Sequence, residues 1–391
     1  MRRTGHIRER ALGSFELRYS LGTDPATGRR KVATTTIRGT RKDAEKELRR
    51  LLHAVDTGQH VDFSRVKVTE YLRARIAQWE IAGKKPIGAK TAERYRELVE
   101  NQIVPYIGAR RLQKLRPADI ESWQTTLRAS GRKDGKGGHQ RPYDRACHRV
   151  LSKALRDAVR HGLIVKNVAA EEGAPEVDGE EIVIITDERI KELLTRLAGH
   201  SLYCRAIVAL FTGVRRGELL ALRWRNTDLD SKIIRIREAL EETKVHGIRF
   251  KRAKTKNGQR DVTLPDIVVD ALREHRRQQL ELRMSLGRGK LPDGALVFPG
   301  ADGGPQSPRG FSGDWAEVAE RIGMGDITLH ALRHTHASQL IDAGVDVVTI
   351  SKRLGHASPN ITLQIYAHLF RKRDDKAAEA INEALARFGK S

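Results

Sequence analysis

Five polar stretches in the second half of the chain carry residue types suited to handling a phosphate. TGVRRGELLALRW sets Arg215 and Arg216 at a helix start, behind Thr212 and Gly213. A helix N-terminus with guanidinium groups beside it is a natural phosphate seat. KRAKTKNGQRDVTLP offers Lys254 and Lys256 at an expected hairpin tip, where a flexible ammonium can reach a ligand. HALRHTHAS places His330 and Arg333 three apart, on one face of a helix. LGHASPN supplies His356 beyond a helix and its turn, and Tyr366 follows. Each has an ordinary alternative when taken singly. An arginine near a helix start is most often a surface charge. An aromatic at helical spacing from Leu363 and Phe370, as Tyr366 is, usually belongs to a core. His334 and His336 read as surface or core-edge groups without a role.

The bulk of the chain narrows the partner. Lys and Arg number 73 against 50 Asp and Glu, a net charge of +23. Such an excess gathers a polyanion and favours nucleic acid through counterion release. A basic membrane-surface protein would need an amphipathic basic helix with a broad apolar face or a lipidation site, and neither stands out. With 39% hydrophobic and 31% charged residues there is no room for a membrane span, and MRRTGHIRERALGSF lacks the apolar run of a signal peptide. Cys147 and Cys204 lie far apart without ligand spacing, as expected of a reduced, cytoplasmic protein without structural zinc.

At 391 residues the chain is expected to form two or three domains. Residues 13–62 read as a small β-rich unit closed by a helix. Phe15, Leu17 and Tyr19 alternate with Glu16 and Arg18, KVATTTIR is a further strand, and Thr40 with Asp43 can cap a helix carrying Ala44, Leu48, Leu51 and Leu52. Arg18, Arg29, Arg30, Lys31 and Arg38 decorate this unit, equally suited to DNA contact and to a solvated face. Residues 66–168 read as all-helical. Pro105 and Gly108 end one helix, and a Gly- and Lys-rich loop at 130–142 bears Lys133 and Lys136, suited to lying against DNA phosphates or simply mobile. Residues 169–182 read as an acidic linker. From 183 to 391 a mixed unit is expected, with strands at 232–238 and 258–265. Its helices fall near 187–198, 201–211, 216–223, 266–284, 312–322, 330–342, 346–353 and 359–370.

The ordered set Arg, Lys, His-x-x-Arg, His, Tyr, carried by TGVRRGEL, HALRH, LGH and the late tyrosine, resembles the tyrosine recombinase (phage integrase) family. The resemblance covers most of the chain. It implies a multidomain fold: a small β-sheet-plus-helix arm-type DNA-binding domain (1–62), an all-α core-binding domain (66–168), the linker, and a mixed, mainly-α catalytic domain with a small β-sheet. By motif position the catalytic residues would be Arg215, Lys256, His330, Arg333, His356 and Tyr366, with Glu218 holding the first arginine and its helix. Lys256, before Asn257-Gly258, fits the lysine position better than Lys254. Where the family typically has Asn-Pro after the last helix of the core-binding domain, this chain has Asn167-Val168.

The resemblance implies transesterification of a DNA phosphodiester through a 3′-phosphotyrosyl link, with no cofactor and no metal, for integration or excision of a mobile element. Two arginines are suited to clamp the charge that grows on the non-bridging oxygens. A phenol with a pKa near 10 costs about 4 kcal/mol to ionise at pH 7, a cost that His330 and the cationic field would offset in part. Lys256 is suited to protonate the leaving oxygen, and His356 to bond a phosphate oxygen. Implied partners are double-stranded DNA at core and arm-type sites and a homotetramer on it, with room for a directionality factor and a host DNA-bending protein. The last segment, with Ile381, Leu385 and Phe388 at helical spacing, is suited to packing on a neighbouring protomer or on its own domain. Two other readings compete: a type IB topoisomerase-like relaxing enzyme, and a non-catalytic architectural DNA-binding protein.

Overall fold

Alternation of apolar and polar residues through SFELRYS makes the central strand of the first sheet. In the computed structural model, which describes residues 5–23, 27–58, 60–82, 86–130, 141–176, 182–252, 258–370, 381–382 and 385–386, β1 (Gly5–Ala11), β2 (Ser14–Thr23) and β3 (Arg30–Arg38) form an antiparallel sheet in that order. Phe15, Leu17 and Tyr19 are buried against Ala44 and Leu48 of α1 (Arg41–Asp56). Thr40 caps α1: its side chain accepts from the Asp43 amide, and the Asp43 carboxylate accepts from the Thr40 amide at 2.8 Å. The outer face of the sheet carries the exposed side chains of His6, Arg8, Arg18 and Arg38. β1 was not expected. Its polar face needs no apolar partner, so GHIRERA shows no alternation to read.

The chain divides into two compact units, residues 1–179 and 180–391. The first also holds α2 (Val68–Ile81), α3 (Ala89–Leu98), α4 (Val104–Ile107), α5 (Pro117–Ser130), α6 (Arg141–Arg160) and α7 (Val168–Glu172). Leu72, Ile76, Leu98, Ile103, Leu151 and Leu155 form the centre of their core. Pro105 does not simply end α3. A wide turn at Val99–Ile103 absorbs the missing amide and the ring, and the helix resumes as α4 up to Gly108. The stretch read as an acidic linker begins as helix α7. Asn167 is its N-cap, accepting from the amides of Ala169 and Ala170 at 3.2 Å and donating to the Ser152 carbonyl at 2.9 Å. Val168 therefore occupies the first helical position, the one at which proline costs no hydrogen bond.

The second unit contains α8 (Asp187–Arg196), α9 (Tyr203–Thr212), α10 (Arg216–Leu220), α11 (Asp266–Ser285), α12 (Pro308–Arg321), α13 (Leu329–Asp342), α14 (Val347–Leu354) and α15 (Pro359–Phe370). β4 (Thr227–Asp228), β5 (Ile233–Ile236) and β8 (Arg260–Thr263) make one sheet, and β6 (Glu238–Thr243) with β7 (Gly247–Arg252) makes a separate hairpin. The hairpin tip differs from expectation. It lies at 244–246, where Gly247 adopts φ +59° and the His246 amide donates to Thr243. KRAKTKNGQ instead runs on from β7 to β8, and Lys254 and Lys256 lie outside the described residues, as do Lys133 and Lys136.

Asn167→Ala should destabilise the first unit by about 1–2 kcal/mol, since it removes the cap of α7 and the bond to Ser152. Urea unfolding of the full chain, followed on the transition that reports the Trp79 and Trp123 core, measures it.

Candidate active site

Two helix ends and one turn build the cationic centre. α9 stops at Gly213, which adopts φ +64°, and a side-chain carbon there would sit 2.5 Å from the ring of His336. Glycine is required on both counts. The chain then reverses, with Arg215 as the N-cap of α10. Gly217 passes so close to β6 that a Cβ would meet the Leu240 carbonyl at 2.6 Å. The buried Arg333 of α13 donates to the Gly213 carbonyl and, at 2.7 Å, to the Leu354 carbonyl at the end of α14. Arg215 donates to the Gly355 carbonyl at 2.7 Å. Both guanidinium groups thus grip the turn that delivers His356, whose Nδ1 lies 2.8 Å from Thr362 Oγ1 of α15.

Glu218 is buried behind Arg215. Its Oε2 accepts from the Arg215 amide at 2.8 Å and its Oε1 from Arg215 Nη1 at 2.9 Å. The same carboxylate receives both terminal nitrogens of Arg260 on β8, at 3.1 and 2.8 Å. Burial alone would raise the Glu218 pKa. The bonds and charge of Arg260, then Arg215, bring it below the usual value. A groove of about 450 Å³ opens beside this cluster, lined by Arg215, Glu218, Lys251, Arg252, His356 and Ile361 among others.

Tyr366 is 1% exposed and packs with Ala337, Ile341, Ile350 and Leu354 in a small cluster of its own. Its hydroxyl lies 2.7 Å from Nδ1 of His334. The expected partner, His330, is one turn earlier on α13 and stacks edge-on with His334, ring centroids 5.2 Å apart. Burial pushes the phenol up to about 12, with Arg333 pulling the other way. Burial, then the charges of His330 and Arg333, pushes His334 down to about 4. His330 reaches solvent at the rim, yet crowding and then Arg333, Arg215 and Arg216 hold its pKa below 6.5. Burial and the charges of Arg333, Arg215 and Arg260 lower His356 to about 4. Burial and repulsion from Arg215 lower Arg333 to about 9, which still leaves it charged at neutral pH. The centre therefore combines fixed positive guanidinium groups with neutral imidazoles, able to hold an anion and to accept a proton.

The structure thus joins Arg215, Glu218, His330, Arg333, His356 and Tyr366 into one connected set. Sequence reading passed over His334 and Arg260. His334 follows His330 by four, one helical turn, a spacing that puts both on one face. Arg260 lies two before buried Val262 on a strand, a charge on the apolar face. In the first unit, Arg18, Arg29, Arg30 and Arg38 are exposed, whereas Lys31 pairs with Asp62 at 2.8 Å. Ile381 and Leu385 are helical and exposed, and Phe388 lies outside the described residues.

The phage integrase family profile matches residues 184–373, and the phage integrase N-terminal SAM-like domain profile matches 73–128. This chain belongs to the phage integrase family of tyrosine recombinases. It is 27% identical over 361 residues to a tyrosine recombinase XerC-like protein of Caldanaerobacter subterraneus, covering 88% of this chain and 90% of the relative. It is 26% identical over 377 residues to the ICEBs1 integrase of Bacillus subtilis, covering 95% and 98%. The integrase fold is seen in the Tn1549 transposon integrase in complex with a circular intermediate DNA, with TM-score 0.66 and 19% identity over 82% of this chain and 99% of that one. A lambda integrase dimer bound to a COC′ core site gives TM-score 0.52 at 16% identity, over 92% and 93%. Among the described residues no helix is long and apolar enough to cross a membrane, and no group of three His, Cys, Asp or Glu could hold a metal ion.

Stability should fall with acid. His334, His336 and His356 have folded pKa values depressed to about 4, 3 and 4. Below about pH 6.5 the unfolded chain binds protons that the folded one refuses, so stability rises with pH through this window and is lost toward pH 4. Denaturant midpoints of the second unit between pH 7.5 and pH 4.5 check this. A flat profile contradicts it.

Proposed function

We propose that this integrase cuts and rejoins DNA at specific sites through a 3′-phosphotyrosyl intermediate formed by Tyr366, and so integrates or excises a mobile element. The observation that carries the reading is the linkage of Tyr366 to Arg333 and Arg215 through His334, α13 and the turn before His356. A phosphate seated at Arg215 and Arg333 has its non-bridging oxygens against two fixed guanidinium forks. His356, neutral at pH 7, is placed to bond the same phosphate.

In the step itself the Tyr366 oxygen forms a bond to phosphorus while the bond from phosphorus to the 5′-oxygen breaks. The phenolic proton passes to a neutral imidazole. His334 is already in contact, and His330 stands next to it toward solvent. The 5′-oxygen takes a proton from a general acid, a role assigned to Lys256 on its motif position. Energy is conserved in the phosphotyrosyl link, so the reverse attack by a 5′-hydroxyl of another strand reseals the DNA.

Tyr366 cannot reach a duplex from its buried position. α15 rests on a satellite cluster separate from the main core, and moving it exposes a side chain of phenylalanine size, at a cost of roughly 2–3 kcal/mol that DNA contacts must offset. Shielding the nucleophile until DNA arrives protects the chromosome from stray nicks.

The three-part reading assigns 1–62 to arm-type sites, with Arg18, Arg29, Arg30 and Arg38 facing DNA, and 66–168 together with 183–391 to the core site. Double-stranded DNA as substrate, a homotetramer on it, and a cytoplasmic setting complete the proposal. Its neighbours of like fold include a lambda integrase tetramer bound to a Holliday junction. A relaxing enzyme or an architectural protein fits less well, because relatives along nearly the whole chain are integrases and recombinases.

Tyr366→Phe should keep DNA affinity within about 2-fold, because the phenol is buried in the free chain, while denaturant-resistant adducts on DNA spanning the junctions of its own element disappear. Adducts at the unsubstituted chain's yield would reject the assignment. A plasmid carrying two such sites should give recombinants rather than relaxed circles alone.

A further inference from the structure

One buried cation stands behind the phosphate clamp without touching the groove where DNA would lie. The Arg260 side chain is 7% exposed, against 40% for Arg215. Its two terminal nitrogens take both oxygens of Glu218, and its Nε donates to the Arg353 carbonyl at 2.6 Å. Glu218 therefore serves two guanidinium groups at once, each of its oxygens accepting from both arginines.

This sharing has an electrostatic consequence. A buried carboxylate with Arg215 as its sole partner would cancel the charge that Arg215 has to offer a phosphate. With Arg260 on its other side, Glu218 is neutralised from behind. Three guanidinium groups, Arg215, Arg260 and Arg333, then face one carboxylate and leave two positive charges. A phosphodiester brings one negative charge and develops a second on its non-bridging oxygens as tyrosine attacks, so the surplus matches the transition state rather than the ground state. The field of Arg260 also reaches Arg333 and His356 and helps keep that imidazole neutral.

We propose that Arg260 is a positioning residue of the clamp: by sharing Glu218 it orients Arg215 into the groove and leaves the Arg215 charge available to the scissile phosphate. The inference rests on the reading of Tyr366 and Arg215 given above.

The test uses the full chain and a nicked DNA carrying its own junction, with either a normal phosphate or an uncharged methylphosphonate at the cleaved position. Arg260→Gln should slow adduct formation on the normal phosphate by about 10-fold or more, while DNA affinity stays within about 2-fold. On the methylphosphonate, which is neutral in the ground state and carries one negative charge instead of two in the transition state, the variant and the unsubstituted chain should react within about 2-fold of each other. Arg260→Lys keeps the charge and loses the fork. It should show a smaller loss with the same dependence on substrate charge, and it carries the test should the glutamine variant unfold. Equal losses on both substrates would make Arg260 a structural staple and overturn the proposal, as would no loss on either. Absence of adducts from the unsubstituted chain would refute the tyrosine reading instead.

Discussion

Cations gathered in one place repel one another unless something supplies the opposite charge. The structure meets this constraint with the ends of helices. The carbonyls that accept from Arg333 and Arg215 belong to Gly213, Leu354 and Gly355, at the C-termini of α9 and α14. These carbonyls have no partner within their helices and carry the negative end of the helix dipole. Two helices pointed at one spot thus supply part of the counter-charge that a free ligand would otherwise provide, and Glu218 supplies a further part. Much of the second unit can be understood as the framework that brings those two helix ends together.

The framework also explains the distances along the chain. Residues 213–218, 260, 330–334, 354–356 and 366 meet because each lies where an element starts, stops or crosses its neighbour. Most of α13 is buried, so Arg333 and His334 are held by a core element, with His330 at its solvent edge. Tyr366 is carried by α15, which packs on α13 and α14 through a separate small cluster. The guanidinium groups and Tyr366 therefore sit on separate supports. Under the proposed chemistry, that separation lets the tyrosine move while the charge pattern stays in place.

Much of this was legible in the residues. Helices of the second unit were read within a few residues of their ends, because Thr186, Thr328 and Asp346 are capping residues followed by apolar periodicity. The strands β1, β6 and β7 were not: β1 and β6 each carry a single large apolar side chain, Ile7 and Leu240, and the alternation of Ile248 and Phe250 with Arg249 and Lys251 in β7 is short. The hairpin tip was misplaced because Asn257-Gly258 is a stronger turn signal than Val245-His246-Gly247. The polar cluster was visible as an ordered set of residue types, but its wiring was not. Arg260 and His334 act through contacts between distant segments, and no local pattern encodes which imidazole meets Tyr366. Burial of Tyr366 shows why the commonplace reading of an aromatic at helical spacing had force. In the free chain this residue is core, and the proposed chemistry requires that it leave.

The central claim is that one aromatic oxygen on α15 becomes bonded to DNA. The most direct measurement is to trap the protein on DNA spanning its own junction, digest both, and identify by mass spectrometry the peptide that retains nucleotide. The account predicts a single adduct on the peptide containing Tyr366, joined to a 3′-phosphate, with a free 5′-hydroxyl on the other strand end. Nucleotide found on another residue, or a 5′-linked phosphate, would contradict it.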